Sequence, residues 1–241
     1  MKEALISMAT FGPGNRNVVG NPESERVYDE FEEILRTILP KDLGFQKINV
    51  RIPDVVLVTE TGDFVLDAAS GGLMSLVDLA WQIFLYSRGK TEYVVVLDEP
   101  ENHLHPSMQR SIIQSLVSSF PGAQFIIASH SPFIVSSVRD ASVYVLRYAK
   151  QEPFGGRSRL VNSVLLDQIS KAGTASEILR DALGVPVTMP IWAEDALNSI
   201  TSEFSIELLN DERITQLKSA LERAGLGDLY PAALQQLAGR A

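Results

Sequence analysis

Between Glu23 and Leu39 the apolar residues Val27, Phe31, Ile34, Leu35 and Ile38 recur at three- and four-residue spacing. That is the period of one helix face, and Pro40 ends the run. Two short extended runs follow, Val55 to Val58 and Phe64 to Leu66, separated by Thr61-Gly62-Asp63, which has the composition of a hairpin turn. At Ser70 the pattern changes. Ser70-Gly71-Gly72 opens a predicted helix through Tyr86 whose apolar residues, from Leu73 and Met74 to Phe84 and Leu85, nearly surround the axis, as in a buried helix. Tyr93 to Leu97 is an unbroken, largely β-branched run, which predicts a strand covered on both faces of a parallel sheet. Pro106 starts a helix with Met108, Ile112, Ile113, Leu116 and Val117 at core spacing. Phe125 to Ala128 reads as the next buried strand, Pro132 as the start of a short helix, and Ser142 to Leu146 as a further strand.

Strand, helix, strand, helix, strand predicts an α/β fold with a mainly parallel sheet and a ligand site beyond the carboxyl ends of its strands. Past a Gly- and Arg-rich stretch, Phe154 to Arg159, the pattern becomes helical: Ala175 to Leu183, Ile191 to Phe204, Asp211 to Ala224 and Pro231 to Leu237. Three zones are therefore expected: an opening segment over 1–61, a core lobe over 62–149, and a loop with a helical extension over 150–241.

Composition narrows the classes. The 241 residues are 45% hydrophobic and 21% charged, enough apolar material for a sizeable core. With no cysteine, a disulfide scaffold, a thiolate metal site and a cysteine nucleophile are all excluded. No apolar run approaches the roughly 18 residues of a membrane span, and the first twenty residues lack the apolar core of a secretion signal, so a cytoplasmic protein is expected. The net charge of −9 disfavours unspecific binding along nucleic acid. From Ser176 onward five basic residues face ten acidic ones, whereas Arg139 to Leu160 holds five basic and two acidic residues and is the one segment suited to a phosphate-contacting face.

Candidate chemistry clusters at the strand ends. In Val94-Val95-Val96-Leu97-Asp98-Glu99-Pro100 two adjacent carboxylates stand where a buried strand emerges. One can face a hydrated Mg²⁺ while its neighbour, pointing elsewhere on the pleat, takes a proton from an attacking water; a plain Asp-Glu-Pro turn is the simpler reading of this heptapeptide alone. Upstream, Ser70-Gly71-Gly72 offers free backbone N–H groups and the positive end of a helix dipole to a phosphate, although the tripeptide also suits an ordinary N-cap. Downstream, Phe125-Ile126-Ile127-Ala128-Ser129-His130 puts a histidine at the end of the next strand, within reach of a γ-phosphate or attacking water.

The order Ser70-Gly71-Gly72, then Leu97-Asp98-Glu99-Pro100 with Glu101-Asn102-His103-Leu104-His105-Pro106, then Ser129-His130-Ser131-Pro132 resembles the C-terminal half of an ABC-class ATPase head. The likeness is to the AAA-type ATPases related to the overcoming-lysogenisation-defect proteins and to the chromosome-maintenance ATPases, and it is close over about Arg51 to Val138. It implies a P-loop NTPase-like lobe that uses ATP and Mg²⁺. Ser70, Gly71 and Gly72 would be the signature loop touching nucleotide held by a second subunit. Asp98 would hold water around Mg²⁺, Glu99 would be the general base, and His130 the switch histidine. Glu101 to His105 would be the loop that meets its counterpart across a dimer. Leu73 departs from the pattern, since many relatives carry Gln or Glu there.

A larger departure is the phosphate loop. The chain contains no Gly-x-x-x-x-Gly-Lys-Ser/Thr, the motif whose backbone N–H groups and Lys enclose the β- and γ-phosphates. Gly89-Lys90-Thr91 has Phe84 where the earlier glycine is required, and Gly12-Pro13-Gly14 has no lysine. In related heads that loop lies N-terminal to these motifs, so the resemblance implies a chain that begins after it. The expected function is ATP hydrolysis at a composite site, in a dimer of heads or with a partner that supplies the phosphate loop, acting on DNA or an effector protein. The alternatives are a non-hydrolysing regulatory module and a truncated gene product. His103 and His105 beside the carboxylates suit the dimer loop better than a transition-metal site. Past Tyr148 no Asp-x-Asp pair supports a nuclease.

Overall fold

Helix α1 (Lys2–Phe11), for which the sequence offered no periodic signal, buries Leu5 and is closed by Gly12. In a computed structural model, the structure describes residues 1–148, 161–167, 172–185, 189–204 and 210–238. Helix α2 (Pro22–Ile38) starts where the amphipathic pattern begins: the Asn21 side chain accepts from the backbone N–H groups of Glu23 and Ser24, and Pro22 occupies the first turn. Its inner face buries Phe31, Leu35 and Ile38. Phe31 meets Trp81 edge-on at 4.8 Å and Phe84 at 5.5 Å, which locks α2 to helix α3 (Gly71–Ser87).

Between these helices along the chain comes an antiparallel sheet of β1 (Phe45–Arg51), β2 (Asp54–Thr59) and β3 (Phe64–Val65) in that order. The predicted hairpin is its β2–β3 half. Strand β1, whose polar residues interrupt any alternation, was not legible in the sequence. Tyr28 donates to the Ile48 carbonyl at 3.0 Å and Glu32 accepts from the Ile48 N–H at 2.8 Å, so α2 holds β1 by its backbone.

The expected α/β class and parallel sheet are present in β4 (Tyr93–Asp98) and β5 (Ala123–Ala128), paired in parallel from Tyr93 with Ala123 to Asp98 with Ala128. Their connection is two helices, α4 (Pro106–Gln109) and α5 (Ile112–Ser119), where the sequence predicted one; α5 buries Ile112, Ile113 and Leu116. Helix α6 (Pro132–Val135) follows β5.

Three local expectations are corrected. Helix α3 is not buried all round, since Leu85 and Tyr86 are exposed. Strand β4 is covered on one face only: Val95 is buried while Val94 and Val96 are exposed, as is Ile126 on β5. The third expected strand, β6 (Tyr144–Tyr148), pairs antiparallel with β7 (Val161–Leu165), a strand the sequence reading missed, rather than extending the parallel sheet. Most of the basic stretch from Arg139 to Leu160 lies outside the described residues.

The chain divides into two compact units, Met1–Gly184 and Val185–Ala241. The first ends in the helical turn α7 (Ala175–Glu177), which carries a capping box between Thr174 and Glu177 and continues as a π-turn over Ile178–Ala182. The second contains α8 (Ile191–Ser202), α9 (Asp211–Arg223) and α10 (Tyr230–Ala238), close to the helices predicted. They enclose their own core around Leu197, Leu217, Leu221 and Leu237. Among the described residues no helix is long and apolar enough to cross a membrane.

Candidate functional site

Strand β4 alternates strictly despite its apolar sequence. Tyr93, Val95 and Leu97 face the core, while Val94, Val96 and Asp98 stand on the other, exposed face beside Gln124, Ile126 and Ala128 of β5. Asp98 is thus the polar end of an open apolar face. The backbone then leaves the strand. Glu99 donates its N–H to the Ala128 carbonyl at 2.9 Å, continuing the ladder by one bond, but its φ of 45° lies in the left-handed region that a residue with a Cβ rarely adopts.

Glu99 Oε1 lies 3.8 Å from His130 Nε2, and its Oε2 accepts from the Asn102 amide at 3.1 Å. Both groups face solvent: the His130 side chain is 88% exposed and that of Glu99 43%. At that exposure their attraction is worth well under about 1 kcal/mol, so the pair is presented rather than locked together by charge. The structure therefore brings Glu99 and His130 together at one sheet end with Asp98 adjacent, and packs none of the three inside.

Ser70 caps α3, its Oγ accepting from the Leu73 N–H at 3.3 Å. The two glycines differ. A Cβ on Gly71 would meet nothing within 4 Å, whereas one on Gly72 would stand 2.5 Å from the His103 carbonyl oxygen. Gly72 is therefore required for α3 to sit against the loop that follows Glu99, and the Gly71 side is left open to an incoming group. His103 is itself left-handed, with φ 68°.

Glu101, Ser129, Ser131 and Gln109 were not singled out individually by the sequence reading. Glu101 Oε1 accepts from Ser129 Oγ at 2.5 Å and from the backbone N–H groups of His130 and Ser131, both at 3.1 Å. Ser131 Oγ donates to Gln109 Oε1 at 2.7 Å. The small hydroxyl residues on both sides of His130 were the available signal, but nothing in the spacing pointed to Glu101 as their acceptor.

Asp98 and Glu99 are accessible carboxylate oxygens at the end of a parallel strand, which suits a hydrated Mg²⁺ that keeps most of its water. Among the described residues no group of three His, Asp or Glu side chains is placed to hold a metal ion alone, so further ligands would come from phosphates and water. The phosphate cradle has no fit here. Gly12-Pro13-Gly14 follows helix α1 instead of a strand, and α2 beyond it opens with Pro22, Glu23 and Glu25, a first turn that repels an anion and whose N–H groups at Glu23 and Ser24 Asn21 already occupies. Lys90 donates to the Tyr86 carbonyl at the end of α3 and lies over the Tyr86 ring.

Residues 22–136 match the family described as AAA domain, putative AbiEii toxin, Type IV TA system. The chain is 38% identical over 53 residues to the Retron Vc95 probable ATPase of Vibrio cholerae serotype O1 biovar El Tor, covering 22% of this chain and 10% of that protein. With the Retron Ec83 probable ATPase of Escherichia coli it is 24% identical over 213 residues, covering 80% of this chain and 38% of the relative. It thus spans less than half the length of either curated relative. Among solved structures it is similar to the SMC head domain from Thermotoga maritima, with a TM-score of 0.44, 17% identity, and coverage of 59% of this chain and 48% of that one.

Proposed function

We propose that this chain, whose residues 22–136 match an AAA-domain family and which is similar to two retron probable ATPases, forms one part of a composite ATP-hydrolysing site whose phosphate loop comes from another polypeptide segment. The observation that carries the reading is the open face of β4 and β5. Val94, Val96 and Ile126 form an apolar surface that runs directly into Asp98, so an element packed there would set its own strand end beside Asp98, Glu99 and His130. A strand followed by a phosphate loop has the matching chemistry: an apolar strand for the face, and a Lys with successive backbone N–H groups for the phosphates.

When bound, Mg²⁺–ATP supplies the scissile phosphoanhydride bond and the metal's charge. Asp98 accepts hydrogen bonds from water around the metal. Glu99 takes the proton of the attacking water, and the His130 ring donates toward the γ-phosphate oxygens and orients that water. Ser70, Gly71 and Gly72 present the start of α3 to a nucleotide held by a second head, which makes a dimer the working unit.

The test is ATPase assay of the chain alone and mixed with a phosphate-loop segment from a longer relative. Turnover is expected only in the mixture, reduced by about 10²–10⁴-fold in Glu99→Gln. It should also be lost in Val96→Asp, whose circular dichroism and melting stay unchanged because Val96 is 72% exposed. Robust turnover by the isolated chain, abolished by Glu99→Gln, would overturn the need for a second segment.

A further inference from the structure

We propose that Glu101 is the positioning residue of this site: one of its carboxylate oxygens gathers the loop that carries His130 and sets the imidazole beside Glu99, an inference that rests on the role given to His130 above. Three donors from three consecutive residues converge on Glu101 Oε1, namely Ser129 Oγ, His130 N–H and Ser131 N–H, at 2.5, 3.1 and 3.1 Å. Successive backbone N–H groups form a concavity for an anion, and here the anion is a side chain of the same protein. Such charge-assisted bonds are about twice as strong as neutral ones. The other oxygen, Oε2, is buried and accepts nothing among the described residues, so the carboxylate's hold on this protein is concentrated on that one loop.

The anchor is tied at its other end. The Glu101 carbonyl accepts from the Leu104 N–H at 2.9 Å, the Leu104 carbonyl accepts from Gln109 at 3.0 Å, and Gln109 accepts from Ser131. The His103 carbonyl meets Gly72 at the start of α3. Glu101 therefore belongs to the loop that meets Gly72 through the His103 carbonyl and grips the Ser129–Ser131 turn through its own carboxylate. Among the described residues the His130 ring has no comparable restraint of its own, because it is almost fully exposed and its contact with Glu99 is long.

The experiment compares the 241-residue chain with its Glu101→Ala and Glu101→Gln variants by NMR. In Glu101→Ala the His130 amide is expected to exchange about tenfold faster or more, the loss of one charge-assisted bond, and the Ser131 amide to accelerate less, because it also donates to Ser129 Oγ at 3.0 Å. The His130 ring Cε1–Hε1 signal should move, while amides in α3 and β4 keep their protection. Glu101→Gln, which retains a neutral carbonyl acceptor, should fall between the two, and it decides the matter if Glu101→Ala does not fold. With a phosphate-loop partner, kcat should drop with KM unchanged, recovering partly in Glu101→Gln. Wild-type exchange rates in both variants, or faster exchange with an unmoved His130 ring signal, would overturn the proposal. The NMR arm uses neither nucleotide nor partner, so failure of the wild type to turn over in the mixture would count against the composite site and not against the anchor.

Discussion

Gly71 and Gly72 are adjacent in sequence and opposite in consequence. A methyl group at Gly72 would lie 2.5 Å from the His103 carbonyl oxygen, a backbone atom that cannot swing aside, so Gly72→Ala should destabilise by about 1–3 kcal/mol as an overpacked contact. Gly71 has open space around it and sits in a helix, where Ala is favoured by about 0.5–1 kcal/mol. Thermal melts should therefore move in opposite directions, Gly72→Ala down and Gly71→Ala level or up; a fall in both would disprove the packing difference. Tyr28 gives a pH-dependent case. Burial first, and then the negative charges of Glu32 and Asp29, push its phenol from 10.0 up to about 12. A raised folded value means that the stabilisation is fully present below pH 10 and is lost as the pH climbs toward 12. Tyr28→Phe should remove that alkaline slope. It should also cost about 1 kcal/mol at neutral pH through the lost bond to the Ile48 carbonyl, measured by urea unfolding at both pH values.

Elements show why some of this was readable and some was not. Helix α2 was legible because its period and the Pro40 that ends it agree. The strands β4 and β5 were legible as strands, and Asp98, Glu99 and His130 as their endpoints, because an apolar run that stops at a charge fixes where a strand emerges. Their burial was not. An unbroken Val run reads as covered on both faces, yet Val94 and Val96 stand in the open, since what covers an apolar strand is set by neighbours that the strand's own sequence does not specify. The same holds for β6: its sequence made a strand, but its partner β7 carries little hydrophobic signal in Val161-Asn162-Ser163. Glu101 escaped for a third reason. Its role comes from three donors 28 to 30 residues away, a convergence that only the parallel pairing of β4 with β5 creates.

At the scale of the whole molecule the two compact units carry separate cores, and this separation makes a prediction about where damage stays local. Leu116 and Leu221 are both wholly buried, the first among residues of α2 and α3 and the second among Leu197, Leu217 and Leu237. Truncating either to Ala removes similar chemistry and should cost about 2–5 kcal/mol in the core that contains it. The Val185–Ala241 unit has only a small core to lose from, so Leu221→Ala should expose most of that unit to exchange. Hydrogen exchange resolved along the chain is the measurement. Leu221→Ala should release protection across α9 and α10 while α3, β4 and β5 keep theirs, and Leu116→Ala should do the reverse. Because Asp98, Glu99, His130 and Glu101 all belong to the Met1–Gly184 unit, partner-dependent ATPase activity is expected to survive Leu221→Ala and to fail in Leu116→Ala. Loss of protection spreading through both units from either substitution would mean that they fold as one cooperative body, and the site would then depend on the acidic helical tail as much as on its own strands.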